Sequence, residues 1–231
     1  MKRLLIVLFC VAVVFCMYGC GGSSSTSAPE EKTEEEEPAA EEPKAVELVE
    51  SGYAVDDSND VYFGAVIKNP DDKTAYEYAS VVATAYNDKG EEIGKAEDSI
   101  KVILPGEQLA AATFALCDEQ KPDKVEITVE TGYPIEPSDD MLKASDFEIK
   151  DLEEKTSEDA GLMAFKGKIK NNSSIDRDMV DIIFLFRKDG KIVYGDFTYV
   201  ENLGAGEEGE FAILKSSDLP EYDNYEVSVS K

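Results

Sequence analysis

The chain of 231 residues contains the same series of short motifs twice. FGAVIKN at residues 63–69 is matched by FKGKIKN at 165–171, and Gly106-Glu107 is matched by Gly206-Glu207. Further matches pair YNDKG with FRKDG, VEITV with YEVSV, and VEL with FEI, always in the same order. Nearly all matched positions lie 100 to 102 residues apart, which chance does not explain. The sequence therefore predicts two copies of one folding module.

Apolar and polar residues alternate over short stretches within each copy, which is typical of half-buried β-strands. The stretch 61–68 alternates in this way and ends at Asn69-Pro70, and the stretch 76–86 ends at the hairpin signal Asn87-Asp88-Lys89-Gly90. Long helical periodicity is absent. About 85 residues and six or seven short strands per copy favour a two-layer sandwich of immunoglobulin type.

The predicted fold class is all-β, with two tandem immunoglobulin-like β-sandwich domains behind a signal peptide and a disordered acidic linker. The predicted boundaries are 1–19 for the signal peptide, 20–44 for the tether, 45–131 for the first sandwich, 132–143 for the linker and 144–231 for the second sandwich. The tether is rich in Gly, Ser, Glu and Pro. It has nothing to bury that would offset the entropy cost of ordering.

Comparison of the copies at an offset of 100 residues predicts which strand faces are buried. Three pairs predict one buried stripe, namely Val82 with Ile182, Thr84 with Phe184, and Tyr86 with Phe186. Two further pairs predict that the opposite face is also covered, namely Ala83 with Ile183 and Ala85 with Leu185.

The N-terminal residues have the order of a bacterial secretion signal. Lys2-Arg3 precedes an apolar stretch at residues 4 to about 15, and Gly19-Cys20 is followed by Gly-Gly-Ser-Ser-Ser. This arrangement resembles the lipobox of bacterial lipoproteins. The resemblance implies cleavage between Gly19 and Cys20 and a lipid on the Cys20 sulfur, with fatty-acyl chains such as palmitate holding the protein at the extracytoplasmic face of the cell membrane. An uncleaved anchor helix and secretion without an anchor are the alternatives.

The formal net charge of −27 restricts the possible partners. Such a surface repels phosphate groups, so nucleic acid is excluded as a partner and the protein is expected to stand away from anionic lipid headgroups. The acidity has two interpretations, which are solubility outside the cell and attraction of cations or basic partners.

Catalytic chemistry has little support in the sequence. The chain contains no histidine, so Ser-His-Asp and Cys-His sites and histidine metal ligation are excluded. Cys117 is the one cysteine of the predicted folded part and has apolar neighbours, which predicts a small buried residue. We therefore expect no enzyme and no cofactor.

Two further groups of residues are candidates for binding. Asp56-Asp57-Ser58-Asn59-Asp60 has the oxygen-rich composition that Ca²⁺ prefers, but a solvated turn is the favoured interpretation. The second copy offers Glu153, Glu154, Glu158 and Asp159 at the equivalent place. Tyrosines with polar neighbours are candidates for exposed recognition residues, although an ordinary strand position is favoured for each: Tyr76, Tyr78, Tyr133, Tyr194, Tyr199 and Tyr222.

The turns of both copies resemble those of the FxLYD-type immunoglobulin-like modules of bacterial lipoproteins and cell-surface proteins. The resemblance is in the turns at Asn69 and Asn171, the hairpins that follow an aromatic strand end, and the Gly-Glu turns. It implies an exported sandwich without a catalytic residue. The predicted function is a lipid-anchored, extracellular, non-catalytic binding or adhesion module that acts as a monomer on a protein or envelope partner. The alternative is a structural spacer or accessory subunit of a cell-envelope complex.

Overall fold

A computed structural model describes residues 42–156, 163–215 and 219–230. In the first copy the strands are β1 (Glu47–Val55), β2 (Val61–Lys68), β3 (Ala75–Tyr86), β4 (Glu92–Ile103), β5 (Gln108–Ala115), β6 (Lys124–Glu130) and β7 (Tyr133–Ile135). After a short 3-10 helix (Ala144–Asp146), the second copy has β8 (Phe147–Thr156), β9 (Met163–Asn171), β10 (Arg177–Lys188), β11 (Lys191–Leu203), β12 (Glu208–Lys215) and β13 (Asn224–Ser230). The predicted signal peptide and most of the tether lie outside the described residues.

The strands form four antiparallel sheets, two for each copy. Sheet A has the order β1-β2-β5 and sheet B the order β4-β3-β6, with β7 also paired to β3. Sheets C (β12-β9-β8) and D (β11-β10-β13) repeat this arrangement in the second copy. The chain passes between the sheets of a pair from β2 to β3 and again from β4 to β5, as in immunoglobulin-type sandwiches. The prediction of two tandem β-sandwiches is confirmed.

The repeated motifs occupy equivalent positions in the two sandwiches. Phe63 and Phe165 are fully buried, and so are Ile67 and Ile169. These residues lie on the inner faces of β2 and β9, where they pack into the core of each sandwich.

The buried stripe predicted on β3 is wrong by one residue. Val81 pairs with Val129 on β6, whereas its counterpart in the second copy, Ile182, pairs with Val229. The offset along β3 and β10 is therefore 101 residues. Residues 87–91 connect Tyr86 to Glu92 in the first hairpin, whereas 188–191 connect Arg187 to Ile192 in the second, so the first loop is one residue longer.

The corrected register places the alanines of β3 in the core. Ala83 and Ala85 are buried inside the first sandwich, while Thr84 and Tyr86 are only partly buried on the outer face. Val82 is buried, as predicted, but it lies on that outer face and not in the core cluster of Val81 and Ala83. In the second sandwich, the predicted inward residues Ile182, Phe184 and Phe186 are all fully buried.

A buried asparagine fixes the end of the second strand in each copy. The Asn69 side-chain amide donates to Thr74 O at 2.7 Å and to Leu104 O at 3.1 Å, and Asn69 N donates to Glu107 O at 3.0 Å. In the second copy, Asn171 makes the same kind of bonds to Ile175 O at 2.8 Å, Leu203 O at 3.3 Å and Glu207 O at 3.0 Å. The repeated Asn and Gly-Glu motifs thus join the β2–β3 connection to the β4–β5 turn.

The outer face of sheet A packs against the outer face of sheet D, and we call this contact the seam. Val66, Ala110 and Ala112 of the first sandwich form one buried cluster with Ile183, Leu185 and Ile192 of the second. The described residues of both sandwiches consequently belong to one compact unit. The prediction that Ile183 and Leu185 lie on a covered face is confirmed.

Small residues and one ion pair shape the seam. A Cβ added to Gly195 would lie 2.7 Å from the Cα of Gly64, so neither position leaves room for a side chain. At one end of the seam, Arg187 donates to the Glu50 carboxylate at 2.8 Å, and Ile192 N donates to the same carboxylate at 3.1 Å. Although burial opposes ionisation, these two bonds leave the pKa of Glu50 lowered.

A candidate binding cleft at the junction of the sandwiches

Several candidate residues from the sequence lie where they stabilise the fold and do not line an open site. Cys117 is buried, as predicted, with its sulfur facing Gly94, and burial raises the pKa of its thiol. Gly19 and Cys20 lie outside the described residues, so the predicted lipid attachment stays a prediction.

The acidic loop at residues 56–60 is tied into a turn by its own carboxylates. Asp56 accepts backbone N–H bonds from Ser58 at 2.9 Å and from Asp60 at 2.8 Å, and Asp60 accepts one from Cys117 at 3.1 Å. Across the described ranges, there is no group of three or more acidic, cysteine or histidine side chains placed to hold a metal ion. Two residues of the second acidic group, Glu158 and Asp159, lie outside those ranges.

Three of the six candidate tyrosines are engaged within the fold. Tyr76 is buried and donates its hydroxyl to Lys44 O at 2.7 Å, and Tyr194 is fully buried in the second core. Neither is therefore an exposed recognition residue, and both have the ordinary strand positions favoured from the sequence. Tyr222 is partly buried and donates to the Glu154 carboxylate at 2.9 Å.

The other three tyrosines are exposed. The exposed fractions are 54% for Tyr78, 69% for Tyr133 and 51% for Tyr199. Tyr133 is on β7 and pairs with Glu77 on β3. Tyr199 is on β11 and pairs with Asp181 on β10.

A cleft of about 300 Å³ lies where the first sandwich, the connecting segment and the second sandwich meet. Its lining comes from β3 and β4 (Glu77, Lys101, Val102), from the connecting segment (Ser138, Asp140, Met141, Leu142) and from the second sandwich (Ile175, Arg177). Because both sandwiches supply lining residues, the cleft exists only while the seam holds them together. Clefts between domains are common locations of binding sites.

The lining combines an apolar wall with charges of both signs. Val102, Met141, Leu142 and Ile175 supply the wall, and Glu77, Asp140, Lys101 and Arg177 supply the charges. None of these four charged groups forms an ion pair within 4.0 Å among the described residues.

Arg177 and Asp140 have distinct local surroundings. Arg177 is partly buried, and its buried Nε makes no hydrogen bond to any described residue. Asp140 is exposed and accepts a hydrogen bond from Ser138 Oγ at 2.5 Å, which lowers the pKa of Asp140. The arginine therefore retains unused hydrogen-bonding capacity beside the cleft.

Exposed apolar side chains lie on the strands beside this cleft. Ile175 in the lining is 37% exposed, and Met179, two residues after Arg177 on the same face of β10, is 49% exposed. Tyr78 follows the lining residue Glu77, and Tyr133 pairs with Glu77. Exposed apolar groups concentrated around a concave surface are typical of interaction sites.

No motif or residue spacing in the sequence indicates the cleft. Its lining residues are spread from position 77 to position 177, and no local spacing connects them. The exposed aromatics were the one available signal, and Tyr133 is the member of that set that pairs with a lining residue.

No family model matches this chain. Among curated proteins, no match was found either. One matching solved structure is a calcium-binding mutant of Bacteroides uniformis β-glucuronidase 2, at 8% sequence identity and a TM-score of 0.24. The match covers 73% of this chain and 24% of that chain, so this protein spans about a quarter of its length. At this similarity the match supports no inference about activity.

In the part of the chain that the structure describes, every helix is too short or too polar to cross a membrane.

Proposed function

We propose that this protein is a lipid-anchored, non-catalytic binding protein of the extracytoplasmic membrane face, and that it binds through the cleft at the junction. The observation that supports binding most directly is the junction itself. There, an apolar wall, charges that form no ion pair with any described residue, and exposed apolar side chains lie together. The anchor is proposed from the sequence at Gly19-Cys20, and the absence of histidine supports a non-catalytic role.

The anchor is tested on the native protein. Mass analysis is expected to find a diacylglyceryl adduct on an N-terminal Cys20, and cell fractionation is expected to place the protein in the membrane fraction. Cys20→Ala should prevent lipidation. An intact N-terminal peptide and a free Cys20 thiol in cells would contradict this part of the proposal.

Binding is tested with the full-length protein in detergent and an envelope extract. Ile175→Asp puts a charge into the apolar wall, whereas Leu214→Asp is the matched control on the outer face of sheet C, where Leu214 is 65% exposed. Retention of an envelope component should be lost with Ile175→Asp and kept with Leu214→Asp. Equal retention by both variants would exclude the junction as the binding surface.

The second candidate function is a spacer or accessory subunit, and the seam favours it. The buried cluster and the close approach of Gly64 to Gly195 hold the sandwiches in a fixed arrangement, as a spacer requires. Shortening of the tether distinguishes the two functions in cells. A positional role should depend on tether length, whereas recognition by the isolated full-length protein should not.

A further inference from the structure

We infer that the junction cleft accepts a short apolar peptide, or an apolar amino acid, with free amino and carboxyl groups; this inference rests on the proposed binding function. The ligand class follows from three properties of the cleft, which are its size, its apolar wall and the two signs of charge that line it.

The size of the cleft suits a small ligand. A volume of about 300 Å³ lies at the lower end of the range for small-molecule sites. It is too small for a folded partner and large enough for one or two amino-acid residues. The wall formed by Val102, Met141, Leu142 and Ile175 offers aliphatic and thioether surface, which suits an aliphatic side chain.

The charges suit a ligand that carries both an anion and a cation. Arg177 and Lys101 can bind a carboxylate, and an arginine fork can hold it through two parallel hydrogen bonds. Glu77 and Asp140 can accept hydrogen bonds from an ammonium group. None of the four side chains forms an ion pair within 4.0 Å with a described residue, so a ligand with both groups can pair with both signs.

The charge of the whole protein favours the same ligand class. At a net charge of −27, the protein repels anions at long range, so a simple fatty acid or phosphate would approach against the field. A molecule with one ammonium and one carboxylate has no net charge and avoids this repulsion. A purely cationic ligand would be attracted but would leave Arg177 and Lys101 without partners.

Isothermal titration calorimetry of the full-length protein in detergent tests the inference with four probes. Leucyl-leucine has both charges and apolar side chains, N-acetyl-leucyl-leucine lacks the ammonium, leucyl-leucinamide lacks the carboxylate, and glycylglycine lacks the apolar side chains. We expect leucyl-leucine to bind and each of the other three to bind about tenfold or more weakly, because each lacks one recognised group.

Charge-removing variants assign the groups to residues. Arg177→Gln should weaken the binding of leucyl-leucine about tenfold or more and leave the binding of leucyl-leucinamide, which has no carboxylate, unchanged. Glu77→Gln should weaken the binding of leucyl-leucine and leave the binding of N-acetyl-leucyl-leucine, which has no ammonium, unchanged. Lys170→Gln and Glu210→Gln on the outer face of sheet C are the matched controls and should leave binding unchanged. Unfolding temperatures of all variants show whether a loss of binding reflects loss of the fold.

Three results would overturn the inference. The first is the absence of any heat with leucyl-leucine at about 1 mM, the concentration at which even weak specific binding is measurable. The second is equal binding of the four probes, and the third is equal binding of leucyl-leucine by the junction variants and their controls. If one of these results is found but Ile175→Asp still prevents retention of the envelope component, the proposed binding function stands and only the ligand class is wrong.

Discussion

The two sandwiches share one topology but use the same outer face in opposite ways. In sheet A this face carries Gly64, Val66 and Ala110, and it is buried in the seam. The equivalent positions in sheet C are Lys166, Lys168 and Glu210, which lie on a solvent-accessible surface with the Lys168–Asp151 ion pair at 3.3 Å. Repeated residues therefore determine the fold of each copy, whereas the residues that differ determine what each copy contacts.

The outer faces of the other two sheets, B and D, also differ, and here the face buried in the seam belongs to the second sandwich. Sheet D presents Ile183, Leu185 and Phe197 to the seam, whereas sheet B has Val82, Thr84 and Glu97 at the equivalent positions. Sheet C is too charged to act as a second sheet A, and sheet B is too polar to act as a second sheet D. The stacking of sheet A on sheet D therefore has no counterpart between sheets B and C.

The cores also differ, and the largest effect on stability is expected there. Phe186 is fully buried among Phe165, Tyr194 and Tyr222, whereas its counterpart in the first copy is Ala85. Phe186→Ala should lower the free energy of unfolding by about 3–5 kcal/mol, because it removes a ring and leaves a cavity. Urea denaturation measures the loss. Ala85→Gly is the matched control and should cost about 1 kcal/mol. Equal losses would show that the cores do not differ in packing.

The buried asparagines should matter equally in both copies. Asn69→Ala and Asn171→Ala should each lower the free energy of unfolding by about 2–3 kcal/mol, because each leaves buried carbonyl groups without a donor. Urea denaturation of the two variants gives the comparison. The exposed Asn224 on β13 serves as a control, and a large effect in only one copy would mean that the repeated motif does not have the same structural role in both.

The seam should tolerate no added side chain. Gly195→Ala places a methyl group against the backbone of Gly64 and should cost about 2 kcal/mol by overpacking. Thermal unfolding followed by circular dichroism measures the effect. Lys95→Ala, at the equivalent position on exposed sheet B, should change stability by less than about 0.5 kcal/mol. If both variants behave alike, the sandwiches do not meet as described.

A carboxylate in the first sandwich should make stability depend on pH. Burial raises the pKa of Asp98 to about 6, and nearby Asp181 adds to the shift, although Ala112 N donates to Asp98 at 2.8 Å. Because the folded-state pKa lies above the unfolded value, the native state binds more protons between the two values, and stability should rise as pH falls from 7 toward 5.

Asp98→Asn tests this coupling, since the equivalent residue of the second copy is the neutral Thr198. The variant should be more stable than the parent protein by about 1 kcal/mol at pH 7.5 and should show a smaller change between pH 7 and pH 5. Unfolding temperatures measured across this range give the result. The exposed Asp72→Asn is the control, and a parallel pH profile for parent and Asp98→Asn would contradict the assignment.

Local sequence patterns were sufficient to predict the strands, the sandwiches and the repeat, because alternation and turn residues act over a few positions. They failed on β3, where one extra loop residue shifted the alignment and Tyr86 was matched with Phe186 because both are aromatic. The seam was predicted only in part. Ile183 and Leu185 have an apolar signal, but Gly64 and Ala112 reveal their role only through the backbone approach. The cleft depends on this packing and therefore could not be predicted.

Calorimetry of the full-length protein tests most directly the claim that the seam makes one unit and so creates the cleft. We predict one cooperative unfolding transition with equal calorimetric and van't Hoff enthalpies. Gly195→Arg should separate it into two transitions and abolish leucyl-leucine binding. Two independent transitions in the parent protein, or leucyl-leucine binding that survives Gly195→Arg, would contradict the account.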